Sequence, residues 1–214
     1  MTEEILNIHS IFTSIQGEST FAGLPFIFIR LAGCNLRCHW CDTKSAQTSL
    51  GSKQMSVTHI IQYTEKIGIH HVCVTGGEPL IQPNTILLVN RFCEKSGWII
   101  TLETNGSILM DQLHENVVCV MDIKCPSSGM ENHNNFENLN IITSKDQIKF
   151  VIADRQDYEY AKMIFLKHLR MFQGAILFSP LWSKLDPAVL ANWILSDKMP
   201  VRLHVQLHKY LDLQ

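Results

Sequence analysis

The sequence predicts an α/β fold built on a parallel sheet, and three features carry that prediction. Short β-type runs alternate with amphipathic helical stretches along the chain. Several runs, such as HVCVT at 71–75, are apolar at nearly every position, as strands covered on both faces are. The 214 residues are 46% hydrophobic and 18% charged, enough apolar material for one such core. Strand-then-helix order implies right-handed crossovers. Periodicity alone leaves two layouts open, a doubly wound open sheet or a sheet curved as a partial barrel.

Taken in order, the β-type runs are Phe26–Leu31, His71–Thr75, Trp98–Glu103, Val117–Ile123, Gln147–Ala153, Ala175–Ser179 and Val201–Gln206. Ser56 caps the first helix, whose Val57, Ile60, Ile61 and Ile67 share a face. Pro83 suits the first turn of the second helix and Gly97 its end. Tyr158, Ala161, Phe165 and Leu169 stripe the third, and Asp186-Pro187 opens the fourth, with Val189, Leu190, Trp193 and Ile194 inward. From Pro126 to Ser144 the chain is polar and rich in Asn, which predicts a mobile surface loop or lid. No repeat, low-complexity run or linker interrupts the chain, so one domain over 1–214 is expected. In sheets of this kind the active-site rim is formed by the C-terminal strand ends.

Charge and composition remove several classes of function. The 18 Lys+Arg against 20 Asp+Glu give a net charge of −2, with no basic excess to hold nucleic acid. The start MTEEILNIHS lacks the basic and apolar runs of a secretory signal. No stretch of about 18 apolar residues occurs, so neither export nor a membrane span is expected and the compartment is read as cytoplasmic. Seven cysteines, an odd number, then read as reduced thiols rather than a disulfide scaffold.

Three of those cysteines, Cys34, Cys38 and Cys41, follow the first β-type run in GCNLRCHWCD. At C-x3-C-x2-C spacing on one loop they can converge on one face of an iron–sulfur cluster. A cubane has four irons, so three protein ligands leave one open to an exogenous molecule. The competing reading is a zinc site or three unrelated thiols. Zinc takes four ligands, and His39, inside the triplet, is too close in sequence to reach comfortably as the fourth. Cys73, Cys93 and Cys119 fall on strand or helix faces and read as small core residues, while Cys125 follows Lys124 at a strand end. Gly76-Gly77-Glu78-Pro79 follows the next strand, and its glycines let backbone groups approach a ligand closely. A plain turn is the bland alternative.

The triplet with its aromatic Trp40, followed by Gly76-Gly77-Glu78-Pro79, resembles the radical S-adenosylmethionine (SAM) superfamily. The resemblance implies a partial, open parallel β/α barrel. It implies a [4Fe–4S] cluster on Cys34, Cys38 and Cys41, with SAM chelating the open iron through its amine and carboxylate. One electron from the cluster then cleaves SAM to methionine and a 5′-deoxyadenosyl radical. Five further runs, SIQGESTF (14–21), ETNG (103–106), DIKCPSSG (122–129), SPLWSKLDP (179–187) and VQLHKYLDLQ (205–214), are similar to the 7-carboxy-7-deazaguanine synthase family. That likeness spans about residues 5–210.

The second resemblance implies a lyase that contracts 6-carboxy-5,6,7,8-tetrahydropterin to 7-carboxy-7-deazaguanine, a queuosine precursor, with loss of ammonia and with Mg²⁺ as a further cofactor. By the same resemblance Ile15, Gln16 and Gly17 contact the pterin, with Glu18 close by. An amide and a carboxylate suit the donors and acceptors of an aminopyrimidinone edge. Arg30 pairs with the substrate carboxylate, for which a guanidinium fork is suited. Thr75 touches substrate, and Gln206 and His208 close its pocket. Gly76, Gly77, Glu78, Glu103, Asn105, Lys124, Pro126 and Ser127 are implied at the SAM site, and Thr43 as an oxygen ligand to Mg²⁺. A homodimer reduced by flavodoxin or ferredoxin is implied as well. The alternative is a radical SAM activase that places a glycyl radical on a partner enzyme. It leaves SIQGESTF and QLHKY unexplained.

Overall fold

A computed structural model describes residues 4–213. Its strands are β1 (Ile5–Ile15), β2 (Pro25–Leu31), β3 (Lys53–Ser56), β4 (His71–Gly76), β5 (Ile99–Thr104), β6 (Val118–Asp122), β7 (Gln147–Ile152), β8 (Ala175–Pro180) and β9 (Arg202–Leu203). The α-helices are α1 (Val57–Glu65), α2 (Asn84–Cys93), α3 (Arg155–Ile164), α4 (Pro187–Ser196) and the short α5 (Leu207–Tyr210). The strands form one nine-stranded sheet in the order β3-β1-β2-β4-β5-β6-β7-β8-β9. From β2 to β9 every pairing is parallel, while β1 is antiparallel to both β2 and β3. The sheet is open, as the partial-barrel reading expects.

The alternation of side chains along the parallel strands sorts two interiors. Ile27, Ile29 and Leu31 of β2, Val72 and Val74 of β4, Ile100 and Leu102 of β5, and Ile148, Phe150 and Ile152 of β7 pack in one core with residues of α1 to α4. The intervening positions fall on the other face. Phe26, Phe28 and Cys73 form a small second cluster there, and Arg30, Thr75, Glu103, Asp122 and Lys149 follow the same parity. These strands read as apolar nearly throughout because both faces are covered; of the charged residues on the second face, Arg30, Glu103 and Asp122 stand towards the C-terminal ends, while Lys149 stands in the first half of β7.

Local signals explain the helix starts. Ser56 Oγ accepts from His59 N at 3.2 Å, Asp154 Oδ1 from Asp157 N at 3.0 Å, and Asp186 Oδ1 from Ala188 N at 2.8 Å. Each satisfies an amide with no intrahelical partner. Past α3 the chain widens into a π turn over Phe165–Leu169, which keeps both of those side chains buried where an α-helix alone would be expected.

Three expectations are corrected. The sequence reading begins the sheet at Phe26, but β1 precedes it and β3 forms the edge. Val201–Gln206 pairs only at Arg202 and Leu203, because the chain then turns so that Gln206 reaches Glu18. The Asn-rich segment is not a free lid: it folds into three 3₁₀ turns whose Asn side chains satisfy neighbouring backbone. Asn138 is fully buried, accepting from Met110 N at 3.0 Å and donating to Gly106 O at 3.0 Å and Ile108 O at 2.9 Å.

Candidate active site

The polar positions at the C-terminal strand ends meet in one cavity of about 420 Å³. Register sets their neighbours: Arg30 of β2 is paired with Thr75 of β4, and Asp122 of β6 with Lys149 of β7. Thr75 Oγ1 donates to Glu103 Oε2 at 3.2 Å, and Gln16 Nε2 lies 3.4 Å from Glu103 Oε1. Gln16 Oε1 in turn accepts from Glu18 N at 3.0 Å. Glu18 is paired with Lys149 at 2.6 Å, and its other oxygen accepts from Gln206 Nε2. Asp122 lies 3.0 Å from Lys124 and 3.7 Å from Lys149.

Within this network the charges are sorted. Burial alone would raise the Glu18 carboxyl, but Lys149 beside it and the hydrogen bonds from Lys149 and Gln206 hold it well below the usual carboxylate range. Burial and the neighbouring Glu18 charge push Glu103 the other way, to a raised value. Lys149 is raised because the charges of Glu18, Asp122 and Glu103 outweigh its burial. Arg30 stands apart. Among the described residues no carboxylate lies within ion-pair distance of it, and its guanidinium carbon sits 5.9 Å from the centre of the Phe12 ring.

The cysteine loop leaves β2 through Gly33, whose φ of +96° favours glycine. Gly33 N donates to Ala46 O at 2.8 Å and Cys34 N to Gln47 O at 3.2 Å, while Glu78 N donates to Gly33 O at 2.8 Å. The Gly76-Gly77 turn is thereby pinned under the loop. A Cβ on Gly77 would stand 2.2 Å from Gly33 O and 2.7 Å from the Cβ of Cys34. Behind the thiols, Lys124 Nζ lies 5.4 Å from the centre of the Trp40 ring, and Trp40 Nε1 donates to Ser127 Oγ at 3.0 Å. Burial raises the Cys34 and Cys38 thiols.

The donor set fits a cluster. It is three thiols on one cavity wall, the ligand type that iron–sulfur clusters take. His39 Nδ1 faces Ser127 O at 3.3 Å instead of joining the triplet. Cys73, Cys119 and Cys125 are buried, Cys93 partly so, and burial raises the thiols of all four.

The cavity wall includes Ile15, Gln16, Gly17, Glu18, Arg30, Cys34, Cys38, Cys41, Thr43, Thr75, Gly76, Gly77, Glu103, Asn105, Lys124, Gln206 and His208. Glu78, Pro126 and Ser127 are not on it. Glu78 is fully buried and its carboxylate is consumed internally. It accepts from Leu80 N at 3.0 Å, Thr104 Oγ1 at 2.8 Å and Asn105 N at 2.7 Å. Ser127 is turned away, donating to Asp157 Oδ2 at 2.5 Å. Thr43 Oγ1 donates to Asp42 Oδ1 at 2.9 Å and keeps lone pairs for a hard cation.

Sequence reasoning missed Asp122 and Lys149, both on the wall. A signal was present: QIKFVI is apolar on both faces apart from its first residue and this lysine. A charge inside a doubly covered strand implies a buried ion pair.

An open, mostly parallel β/α sheet with a C-x3-C-x2-C loop at its first parallel strand end defines a radical SAM enzyme. The family model described as the radical SAM superfamily matches residues 28–124. The chain is 38% identical to a 7-carboxy-7-deazaguanine synthase of Koribacter versatilis, over 96% of each chain. It is 39% identical to one of Chlorobaculum tepidum, over 98% of this chain and 96% of that one. The chain belongs to the 7-carboxy-7-deazaguanine synthase family. These relatives do not favour the activase alternative. In fold it matches the crystal structure of QueE from Escherichia coli with a TM-score of 0.78 and 24% identity, over 95% of both chains.

Proposed function

We propose that this chain is a radical SAM lyase that converts 6-carboxy-5,6,7,8-tetrahydropterin to 7-carboxy-7-deazaguanine with loss of ammonia, in queuosine biosynthesis. The observation that carries this reading is Arg30, without an ion-pair partner among the described residues, in the same cavity as the three thiols and the Gln16–Glu103–Thr75 hydrogen-bonding group. Cys34, Cys38 and Cys41 would hold the cluster, and Gly76, Gly77, Asn105 and Lys124 would line SAM. Bound there, cluster and SAM supply one electron and a carbon-centred radical. Thr43 would give Mg²⁺ one oxygen ligand, the remainder coming from substrate and water.

The chain's own part is recognition and placement. The Arg30 guanidinium binds the substrate carboxylate and so fixes the carbon that bears it. Glu103, which the resemblance implies at the SAM site, is read here on the pterin side because Gln16 and Thr75 both contact it; it accepts from the N–H groups of the aminopyrimidinone, and the Gln16 amide with the backbone of Ile15 and Gly17 completes that edge. The tail covers the pocket, with Leu207 N donating to Gly17 O at 2.9 Å and His208 packed on Gly17. Residues 1–214 are read as one radical SAM domain acting as a cytoplasmic homodimer, with flavodoxin or ferredoxin as reductant and no nucleic-acid or membrane partner. The family resemblance and the charge balance support this. Among the described residues no helix is long and apolar enough to cross a membrane.

The test is substrate choice. The cluster-loaded protein with SAM, dithionite and Mg²⁺ should convert the 6-carboxylated tetrahydropterin and leave tetrahydropterin without the carboxylate untouched. Equal indifference to both would reject the substrate assignment.

A further inference from the structure

Lys149 ties together parts of the molecule that are far apart in sequence. It lies inside β7, and its ammonium is within 2.6 Å of Glu18 Oε2 and 3.7 Å of Asp122 Oδ2. One turn of alternation away on the same strand, Gln147 holds the same loop: its Oε1 accepts from Thr20 N and its Nε2 donates to Thr20 Oγ1, both at 2.8 Å. The segment from Gln16 to Thr20 is therefore pinned to β7 at two points. The tail grips its other side through Gln206 on Glu18 and Leu207 N on Gly17 O.

The consequence for the pocket follows from counting acceptors. Both Glu18 oxygens are occupied, one by Lys149 and the other by Gln206. Glu103 has weaker contacts, the Thr75 hydroxyl at 3.2 Å on one oxygen and the long Gln16 contact at 3.4 Å on the other, with the Cys73 thiol as a further donor; it lines the cavity, where its remaining lone pairs can accept. Two carboxylates on one wall thus have different tasks, and Lys149 decides which is which. We propose that Lys149 is a positioning residue for substrate recognition: by neutralising Glu18 it locks the Gln16–Thr20 loop against β7, so that Gln16 and the Glu103 carboxylate present one fixed edge to the pterin.

Loss of the ammonium leaves Glu18 buried beside Glu103 and Asp122 without its cation, and a buried unpaired charge is relieved by movement or protonation. In either case the loop that carries Gln16 is released. The opposite directions in which the Glu18 and Glu103 carboxyls are shifted agree with this division of labour. The inference rests on the pterin reading above and names a residue that does not itself contact substrate.

The test uses cluster-loaded protein and the non-reacting, fluorescent 6-carboxypterin as binding probe, alongside turnover of the tetrahydro substrate. Lys149→Met is expected to weaken probe binding and raise KM at least tenfold, with kcat within about threefold and iron and sulfide content unchanged. Lys149→Arg should recover most of the loss. The double variant Glu18→Gln/Lys149→Met should bind better than Lys149→Met alone, because the stranded charge is gone. Unchanged probe binding in Lys149→Met overturns the proposal, as does a double variant no better than the single one. Should Lys149→Met fail to fold, a soluble double variant that binds the probe supports it, and failure of both overturns it. No product from the wild-type chain would instead reject the pterin reading, which separates the two failures.

Discussion

Gly77→Ala is the most direct perturbation of the link between the sheet and the cysteine loop. The added methyl would stand 2.2 Å from Gly33 O, against an ordinary contact of at least 3.4 Å, so the Gly33 carbonyl must withdraw by about 1.2 Å. It cannot do so alone, because Gly33 O accepts from Glu78 N at 2.8 Å and Gly33 N donates to Ala46 O at 2.8 Å. The Cβ of Cys34, 2.7 Å away, must move as well. Overpacking of this kind costs about 1–3 kcal/mol, and losing the Glu78–Gly33 hydrogen bond adds roughly 1 kcal/mol. The larger effect is geometric, since a displacement near 1 Å takes Cys34 out of line with Cys38 and Cys41. Anaerobic reconstitution followed by iron and sulfide analysis and EPR of the reduced protein is the assay. The expected result is a substoichiometric cluster in a chain whose circular dichroism is native. A full cluster with a wild-type EPR signal and unaltered response to SAM would refute the pinching argument.

Other outcomes follow from the same geometry. Glu78→Ala strands three donors in the core and should cost about 3–5 kcal/mol of stability in urea unfolding of the cluster-free protein; a loss below about 1 kcal/mol would contradict it. Arg30→Met removes a charged hydrogen-bonding group worth about 1.5–3 kcal/mol, so KM should rise roughly 10- to 100-fold with the cluster intact, and steady-state kinetics on the carboxylated pterin will show whether it does. Thr43→Ala should leave the cluster unchanged and raise the Mg²⁺ concentration needed for half-maximal turnover; an unaltered Mg²⁺ response would take Thr43 out of the site. Glu18 has a folded pKa held below its ordinary value of 4.5 by Lys149 and Gln206, against its burial. Its contribution to stability is therefore present above that value and lost as the pH falls below it. Acid titration of the cluster-free protein should show this loss, with a shallower slope in Glu18→Gln; identical slopes would refute it.

Much of this molecule is legible in its residues, and the failures have physical causes. Six of the β-type runs from Phe26 onward correspond to β2 and β4 to β8, since strands covered on both faces announce themselves by unbroken apolar runs; the seventh pairs only at the exposed Arg202 and Leu203 of β9. β1 was invisible as a strand because its alternation is broken: the pairing with β2 shifts register between Ile8 and Ser10. β3 is a short polar edge, KQMS. The Asn-rich segment looks like a loop by composition, but its amides take the place of regular pairing, with Asn134 both accepting from Lys124 N and donating to Lys124 O. At the site, motif residues such as Gly77 and the cysteines stand out because they depart from ordinary composition. For Glu78 a motif states which residue is needed, not whether its side chain faces ligand or protein, and here the carboxylate is held by Leu80, Thr104 and Asn105. Lys149 is a charge inside an otherwise apolar, doubly covered strand, a sign of a buried ion pair, but which residues pair with it, the register partner Asp122 and the distant Glu18, is visible only in the fold.

The measurement that bears most directly on the account is anaerobic turnover of the cluster-loaded chain with limiting SAM, dithionite, Mg²⁺ and 6-carboxytetrahydropterin. Product is identified by mass and counted against SAM consumed. The account predicts 7-carboxy-7-deazaguanine in excess of the SAM lost. Cleavage of SAM without that product, in a sample with a verified cluster, would contradict it.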